Sequence, residues 1–288
     1  MNKKEIVKQF LEKGILLSPE SLQEIDEAAF QPKNQAVLQR PEKTQEEPGI
    51  KINKRKIKEK TRLTTADFAK YYSNKYESLR EIIQKKTPNA LSINNAKNEQ
   101  SKISIISMVK ELTGQGFAAE DPTGEIEVVS RQAPSDDDVV GVTGIIREGK
   151  LFADEIIYPD VPIIREIGSI DTTILLTTKQ TDTSSITPES NPQHIELTQN
   201  KNKITILSYK PKNQIDKNKA IELLKKRHLS PTRSEIKTTE DVFVIDPIPE
   251  IFWIISHEKW SHIYKSILIL SCEQAKVNLK TKEFELLG

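Results

Sequence analysis

GVTGIIREGKLFADEIIYPDVP, residues Gly141–Pro162, is the stretch that decides the fold. Its apolar runs and glycine corners read as part of a small barrel, and its proline-flanked end leads directly into a second domain. Upstream, EDPTGEIEVV at Glu120–Val129 sets Asp-Pro-Thr-Gly between an apolar and a β-branched run. That pattern reads as a hairpin, because Pro122 pre-sets the first turn position and Gly124 is expected to supply a positive φ that closes it. With KISIISMVKEL at Lys102–Leu112 ahead of it, the region offers about five short strands in roughly 60 residues, which is what an OB-type barrel requires.

Composition narrows the classes. The 288 residues suffice for one large or two modest domains. Lys and Arg number 43 against 42 Asp and Glu, so total charge does not mark a nucleic-acid binder and its distribution must be read instead. The single cysteine, Cys272, excludes an internal disulfide and a Cys-rich zinc module, and reads as a small buried hydrophobe. The N-terminal MNKKEIVKQFLEKGILL breaks its apolar residues with charges, which argues against a signal peptide or membrane span and for a soluble, cytoplasmic protein. No G-x-x-x-x-G-K-[ST], G-x-G-x-x-G or G-x-S-x-G occurs, so phosphate-cradling loops and nucleophile elbows are absent.

The expected class is α+β and multidomain. Residues 1–30 carry apolar positions at helical spacing (Ile6, Val7, Phe10, Leu11) and a restart at Ser18-Pro19-Glu20, a small helical module. Residues 31–62 turn polar and proline-punctuated and read as a disordered linker. Its end, KINKRKIKEKTR at Lys51–Arg62, has seven basic residues and one acidic. Lys54, Arg55, Lys56, Lys58, Lys60 and Arg62 are candidate electrostatic contacts to DNA or an acidic partner, or simply keep a linker solvated. Residues 63–162 hold a helix plus the barrel. The helical stripe Phe68, Tyr72, Tyr76, Leu79, Ile83 is expected to pack on the barrel. Residues 163–288 form the last domain, with buried strands expected at Ile204–Tyr209, Val242–Asp246 and Ser266–Leu270, and a helix at Ala220–Arg227.

The barrel is poorly suited to hold DNA alone. Between Ser101 and Pro162 stand five basic and twelve acidic residues, a net of −7, and Asp136-Asp137-Asp138 is expected to repel phosphates. Phe117, Phe152 and Tyr158 are the aromatics available for stacking.

The runs Ile103–Val109, Glu120–Val129, Asp137–Gly144 and Leu151–Pro162 together resemble the barrel of the small subunit of the archaeal family D DNA polymerase. The resemblance continues through Tyr209–Pro211, Ala220–Pro231, Val244–Phe252 and Tyr264–Leu270. In that family the barrel is fused to a calcineurin-like phosphodiesterase domain credited with 3′–5′ exonuclease activity. The resemblance implies a large catalytic subunit as partner, DNA contact mainly through the complex, and recruitment of other replication factors by the N-terminal module.

A two-metal phosphoesterase needs about half a dozen Asp, His and Asn ligands around cations ~3.5–4 Å apart. Measured against the family motifs, Thr178 and Gln180 fall where Asp and His belong, Lys210 replaces a His after Tyr209, and Ser256 and Glu258 occupy the positions of a Gly-His-x-His pair. The Gly-Asn-His-Asp motif does not occur, and the passage from Ser185 to TPESNPQHIEL implies a large internal deletion. No metal or other cofactor is therefore expected, and the domain reads as a reduced α/β phosphodiesterase fold without its chemistry.

Three functions stay open. The first is a non-catalytic accessory subunit of a replicative polymerase, with Pro249, Ile251, Phe252, Trp253 and Trp260 as candidate partner interface or core. The second is a divergent nuclease built on His257, Glu258, His262 and Asp246. The third is a free single-strand-binding barrel. His194 and His228 read as structural or solvated, with His228 expected as an imidazolium at a helix C-terminus.

Overall fold

The computed structural model describes residues 49–132, 134–179 and 185–287. The expected helical module at 1–30, the first part of the linker at 31–48 and Gln180 lie outside the described residues. The chain is mixed α+β, mostly sheet, with a closed five-stranded barrel.

The barrel strands are β2 (Ile103–Thr113), β3 (Gly116–Asp121), β4 (Gly124–Val129), β5 (Val139–Arg147) and β6 (Lys150–Ile157). They close in the order β2-β3-β4-β6-β5, with β4 and β6 parallel and the other pairs antiparallel, consistent with an OB-like fold. Ile105, Val109, Phe117, Ala119, Ile126, Val128, Val142 and Leu151 fill the interior. The hairpin at Asp121–Gly124 forms as expected, but Gly124 has no positive φ. The Asp121 carboxylate closes the turn, accepting from the Thr123 N–H (2.7 Å), the Thr123 hydroxyl (2.6 Å) and the Gly124 N–H (3.0 Å). A Cβ there would stand 2.8 Å from Asn94 Oδ1, the movable end of an exposed side chain.

Before β1 (Lys51–Lys54) reaches the barrel it joins the C-terminal body, pairing antiparallel with β9 (Gln193–Gln199). Part of the stretch expected as a linker is thus an edge strand, whose side chains stay largely exposed while its backbone completes a ladder with β9. The six-stranded sheet runs β1, β9, β10 (Asn202–Tyr209), β11 (Ile251–Ile254), β13 (Ile267–Ser271), β12 (Trp260–Tyr264). A second sheet runs β15 (Phe284–Leu287), β14 (Gln274–Asn278), β7 (Thr173–Thr177), β8 (Ser185–Ile186). Ile174, Leu176, Ile195, Ile206, Trp253 and Leu270 are among the residues packed between them. The expected strand at Val242–Asp246 is instead a buried turn, in which Val244 makes one bridge to His228. Pro247 and Pro249 offer no N–H for a ladder, so the strand begins only at Ile251.

Two long helices cover the other face of the six-stranded sheet, and a third, single-turn helix packs on the barrel. The helix α1 (Thr65–Gln84) starts at a capping box, Thr64 with Asp67; α2 (Ile93–Ala96) is a single turn; α3 (Lys217–Lys226) is capped by Asp216 and ends at left-handed Arg227. The aromatic stripe of α1 serves two bodies. Tyr71, Tyr72 and Phe68 pack with Leu223, Phe252 and Ile269 of the sandwich, whereas Tyr76, Leu79 and Ile83 pack with Ile106, Met108 and Val139 of the barrel.

Polar groups bolt the same junction. Lys226 at the end of α3 meets Asp138 of the β4–β5 loop at 2.9 Å, with both side chains under a tenth exposed, and also reaches Glu222 (2.6 Å) and the Ser135 hydroxyl (2.8 Å). Burial works against the ammonium, yet Asp138 and Glu222 hold its pKa above the usual lysine value. Asp138→Ala is expected to lower stability by about 2 kcal/mol, since it removes the buried partner of an ammonium that keeps only Glu222 and the Ser135 hydroxyl, and Asp138→Leu with Lys226→Met to restore most of it. Urea unfolding midpoints check this; a single-variant loss under ~1 kcal/mol would show that the bolt is not structural.

Candidate functional site

Strands β10, β11 and β13 run parallel, so their C-terminal ends share one end of the sandwich. Backbone bonds tie those ends together: Ile255 N–H to the Tyr209 carbonyl (2.8 Å), Cys272 N–H to that of Ile254 (3.1 Å), Ser256 N–H to that of Cys272 (3.4 Å). Thr177 at the end of β7 pairs with Gln274, two residues beyond Cys272. The positions singled out for metal ligands, Thr178, Lys210, Ser256 and Glu258, therefore follow strands that finish together.

Their chemistry does not fit a pair of divalent cations. Thr178 and Ser256 supply hydroxyls, Lys210 an ammonium, and Glu258 a lone exposed carboxylate. Lys210 is fixed through its backbone, donating to Asn191 Oδ1 (2.8 Å) while its carbonyl accepts from Asn191 Nδ2 (2.7 Å). The Ser256 hydroxyl accepts from the Glu258 N–H at 3.1 Å. The divergent set is not brought together either. His257 is exposed and faces Glu273 at 3.2 Å, His262 lies on the edge strand β12, and Asp246 pairs with Arg227 (3.0 Å) ahead of β11, at its opposite end. Among the described residues, no three His, Cys, Asp or Glu side chains gather as metal ligands.

The remaining histidines are interior. Nδ1 of His228 accepts from the Ser230 N–H (3.0 Å), and Nε2–H donates to Asp241 (2.9 Å). Both nitrogens are thus used by a neutral ring, and burial holds its pKa below the usual value, contrary to the expected imidazolium. Arg227, not the histidine, caps the helix. Burial opposes the charge of Asp241, yet His228 and the Phe243 N–H hold its carboxyl below the usual range. His194 on β9 is buried with neither ring nitrogen hydrogen-bonded among the described residues, and burial and Arg55 push its pKa down to about 4. Burial raises the Cys272 thiol to about 11, as befits an inert core sulfur.

Of the candidate interface residues, Pro249, Ile251, Phe252 and Trp253 are buried and leave no side-chain surface, with the Trp253 indole donating to the Cys272 carbonyl (3.0 Å). Trp260 is half-buried on β12. The basic residues are spread along an extended strap. Lys54 pairs with Glu189 (2.6 Å) and Lys60 with Asp67 (2.7 Å). The Arg55 N–H donates to the His194 carbonyl (3.0 Å), and Arg55's side chain faces a cleft of about 960 Å³ shared with Lys203, Asp246 and Glu250. Lys56, Lys58 and Arg62 are exposed.

On the barrel, the turns between β2 and β3 (Gly114-Gln115) and between β5 and β6 (Glu148-Gly149, both at positive φ) are two residues long. The loops with which OB folds grip nucleic acid are thereby reduced to bare turns. Lys110, Lys150 and Lys102 are each engaged by Glu125 (2.5 Å), Glu127 (2.8 Å) and Asp154 (3.0 Å). Two of the three carboxylates of the acidic loop turn inward while Asp136 stays exposed: Asp138 is bolted to Lys226, and Asp137 accepts from the Tyr72 hydroxyl at 3.4 Å. Sequence reading also passed over Arg165, whose guanidinium holds Glu250 (3.0 Å) and the carbonyls of Ile248 (3.2 Å) and Pro249 (2.8 Å). An arginine set among isoleucines in VPIIREIG was the available signal.

A barrel joined to a two-sheet sandwich is the class this geometry defines. No protein-family model matches the chain. Over 108 residues it is 32% identical to the DNA polymerase II small subunit of Archaeoglobus fulgidus, a match covering 34% of this chain and 22% of that protein. The match supports a likeness to polymerase small subunits. No helix among the described residues is long and apolar enough to cross a membrane.

His194 and His228 generate a pH dependence with a definite sign. Both fold with pKa values below the ~6.5 of an exposed histidine, so as pH falls past that value the unfolded chain binds protons that the folded chain refuses, and stability drops. His194 alone is expected to remove about 3 kcal/mol between pH 7 and pH 4. Urea titrations of the parent and of His194→Leu measure it: the variant should lose distinctly less on acidification, and equal losses would contradict a buried, neutral His194.

Proposed function

We propose that this protein is a non-catalytic accessory subunit of an archaeal replicative DNA polymerase, of the family D small-subunit type. The observation that carries this reading is the partial identity to a DNA polymerase II small subunit in a chain whose barrel is fastened to a sandwich. On this reading the sandwich is a shortened phosphodiesterase fold that has kept its packing and lost its ligands, and the barrel, α1 and the sandwich form one surface for the large catalytic subunit. That subunit supplies polymerisation and most of the DNA contact. Arg55, Lys56, Lys58 and Arg62 add a sequence-independent electrostatic contact to DNA or to an acidic partner surface. The residues at 1–30 recruit a further replication factor.

Support for a non-catalytic role comes from the donor set at the converging strand ends, where two hydroxyls, an ammonium and one exposed carboxylate stand in place of a cluster of imidazoles and carboxylates. The short barrel turns and neutralised lysines argue against a free single-strand-binding protein.

The test is coexpression with the large subunit of the same polymerase. The two chains are expected to copurify as a stoichiometric complex. The isolated chain should release no nucleotides from a 3′ end in manganese, and should bind a single-stranded oligonucleotide more weakly than about 10 μM at physiological salt. Manganese-dependent release that disappears in His257→Ala or His262→Ala would establish the nuclease reading instead; tight, salt-sensitive binding by the chain alone would establish the third.

A further inference from the structure

On the face of the six-stranded sheet that packs against the second sheet, one row of cross-strand neighbours crosses all six strands. It reads Lys54, Ile195, Ile206, Ile251, Leu268, Ile263 from β1 to β12. The four inner members are buried. The two ends differ in kind. At β1 the row stops on a lysine ion-paired to Glu189, and Lys51 stands further along the same short strand, the usual way to keep an edge from pairing. At β12 it stops on Ile263, which is 64% exposed. The sequence of β12, WSHIY, contains no lysine, carboxylate or proline, and among the described residues no backbone hydrogen bond reaches its outer edge.

A second apolar element is held at the end of this strand. The connector from the barrel is pinned at two points to the β12–β13 turn. Asp160 accepts from the Tyr264 hydroxyl (3.0 Å) and from Lys265 (2.6 Å), and Arg165 donates through Nε to the Ser266 hydroxyl (3.2 Å). Between the pins, Ile163 and Ile164 project into solvent, at 79% and 91% exposure. Two anchored ends with bare isoleucines between them describe a displayed surface rather than a frayed loop.

We propose that the outer edge of β12, with Ile263, Ile163 and Ile164, docks an extended segment of a protein partner, which adds a seventh strand to the sheet. The unpaired N–H and C=O groups of the edge supply the ladder, and the row ending at Ile263 calls for a β-branched or aliphatic residue opposite it. Lys259 at the start of the strand and Lys217, whose charge acts on His262, have no ion-pair partner among the described residues, so the segment carries carboxylates at its flanks. A second copy of this chain is a poor occupant: antiparallel self-pairing centred on His262 sets Lys259 opposite Lys265, whose counter-ion Asp160 is already engaged, so neither copy offers Lys259 a free carboxylate. The inference rests on the accessory-subunit reading and names the kind of segment that the large subunit presents.

Amide hydrogen exchange on the full chain, alone and in complex with the coexpressed large subunit, tests it. Trp260–Tyr264 amides that face outward should exchange readily in the free chain and slow by about tenfold or more in the complex. Ile263→Glu should weaken the complex about tenfold, the size of one interface anchor, while Ile52→Glu on the opposite edge strand should leave it unchanged. If the chains copurify but β12 exchange is the same in both samples, or the two variants bind alike, the docking proposal falls and the accessory reading stands. Failure to copurify overturns both. Protection of β12 in the free chain, through a dimer or through its own residues 1–48, overturns the docking proposal as well.

Discussion

A single buried ion pair, Lys226 with Asp138, sets the terms on which the barrel and the sandwich coexist. Neither partner can be left alone in a nearly dry junction, because an unpaired charge there loses its hydration without compensation. The β4–β5 loop of the barrel is therefore committed to the end of α3, and Ser135 and Glu222 complete the shell around the ammonium. Hydrophobic packing enforces the same geometry. Tyr71 on α1 belongs to the sandwich core, while Tyr76, one turn on, belongs to the layer against the barrel, so the helix cannot follow one body without tearing itself from the other. A polar bolt specifies the register and an apolar helix supplies the adhesion.

The core of the sandwich does not depend on the side chains at its strand ends. Its stability comes from rows such as Ile195, Ile206, Ile251 and Leu268, which lie inside the sheets and touch nothing at the strand ends. Residues at the strand ends, Thr178, Lys210, Ser256 and Glu258, are exposed or half-buried and contribute little to that core. Substitution there is nearly free in folding terms, while substitution in the rows costs a cavity. Substitution at the strand ends therefore leaves the packing and the outer shape of the sandwich intact.

Period and turn chemistry made much of this legible. Alternating apolar runs located β2, β4, β10 and β13, and the stripe from Phe68 to Ile83 located α1. The misreadings share one cause: local pattern was asked to report a nonlocal contact. The basic run at Lys51–Lys54 looks solvated because its side chains are, while its backbone is paired with β9. Val242–Asp246 looks like a strand because its apolar residues are buried, yet it pairs only as a short bridge, with the Leu229 N–H donating to Phe243 and the Ile245 N–H to Arg227. Asp137 and Asp138 look like a phosphate-repelling loop, because nothing in the sequence tells that Tyr72 and Lys226 lie opposite. The role of Arg165 was hidden likewise, since its carbonyl partners at Ile248 and Pro249 are more than 80 residues away in the chain.

The lysines of β1 show how a charge count changes meaning once a backbone is traced. Read as composition, Lys51–Arg62 holds a net charge of +6 and suggests a polyanion. Read on the fold, Lys51 and Lys54 flank the free side of an edge strand, where an ammonium discourages a neighbouring chain from adding on, and Lys60 is drawn to the capping carboxylate Asp67. Part of the run thus has work within the molecule, and only Arg55, Lys56, Lys58 and Arg62 keep their charge for an outside surface. At the far edge of the same sheet no lysine stands within β12. Guarding one edge and leaving the other bare is the asymmetry expected of a sheet that ends at one side and continues into something else at the other.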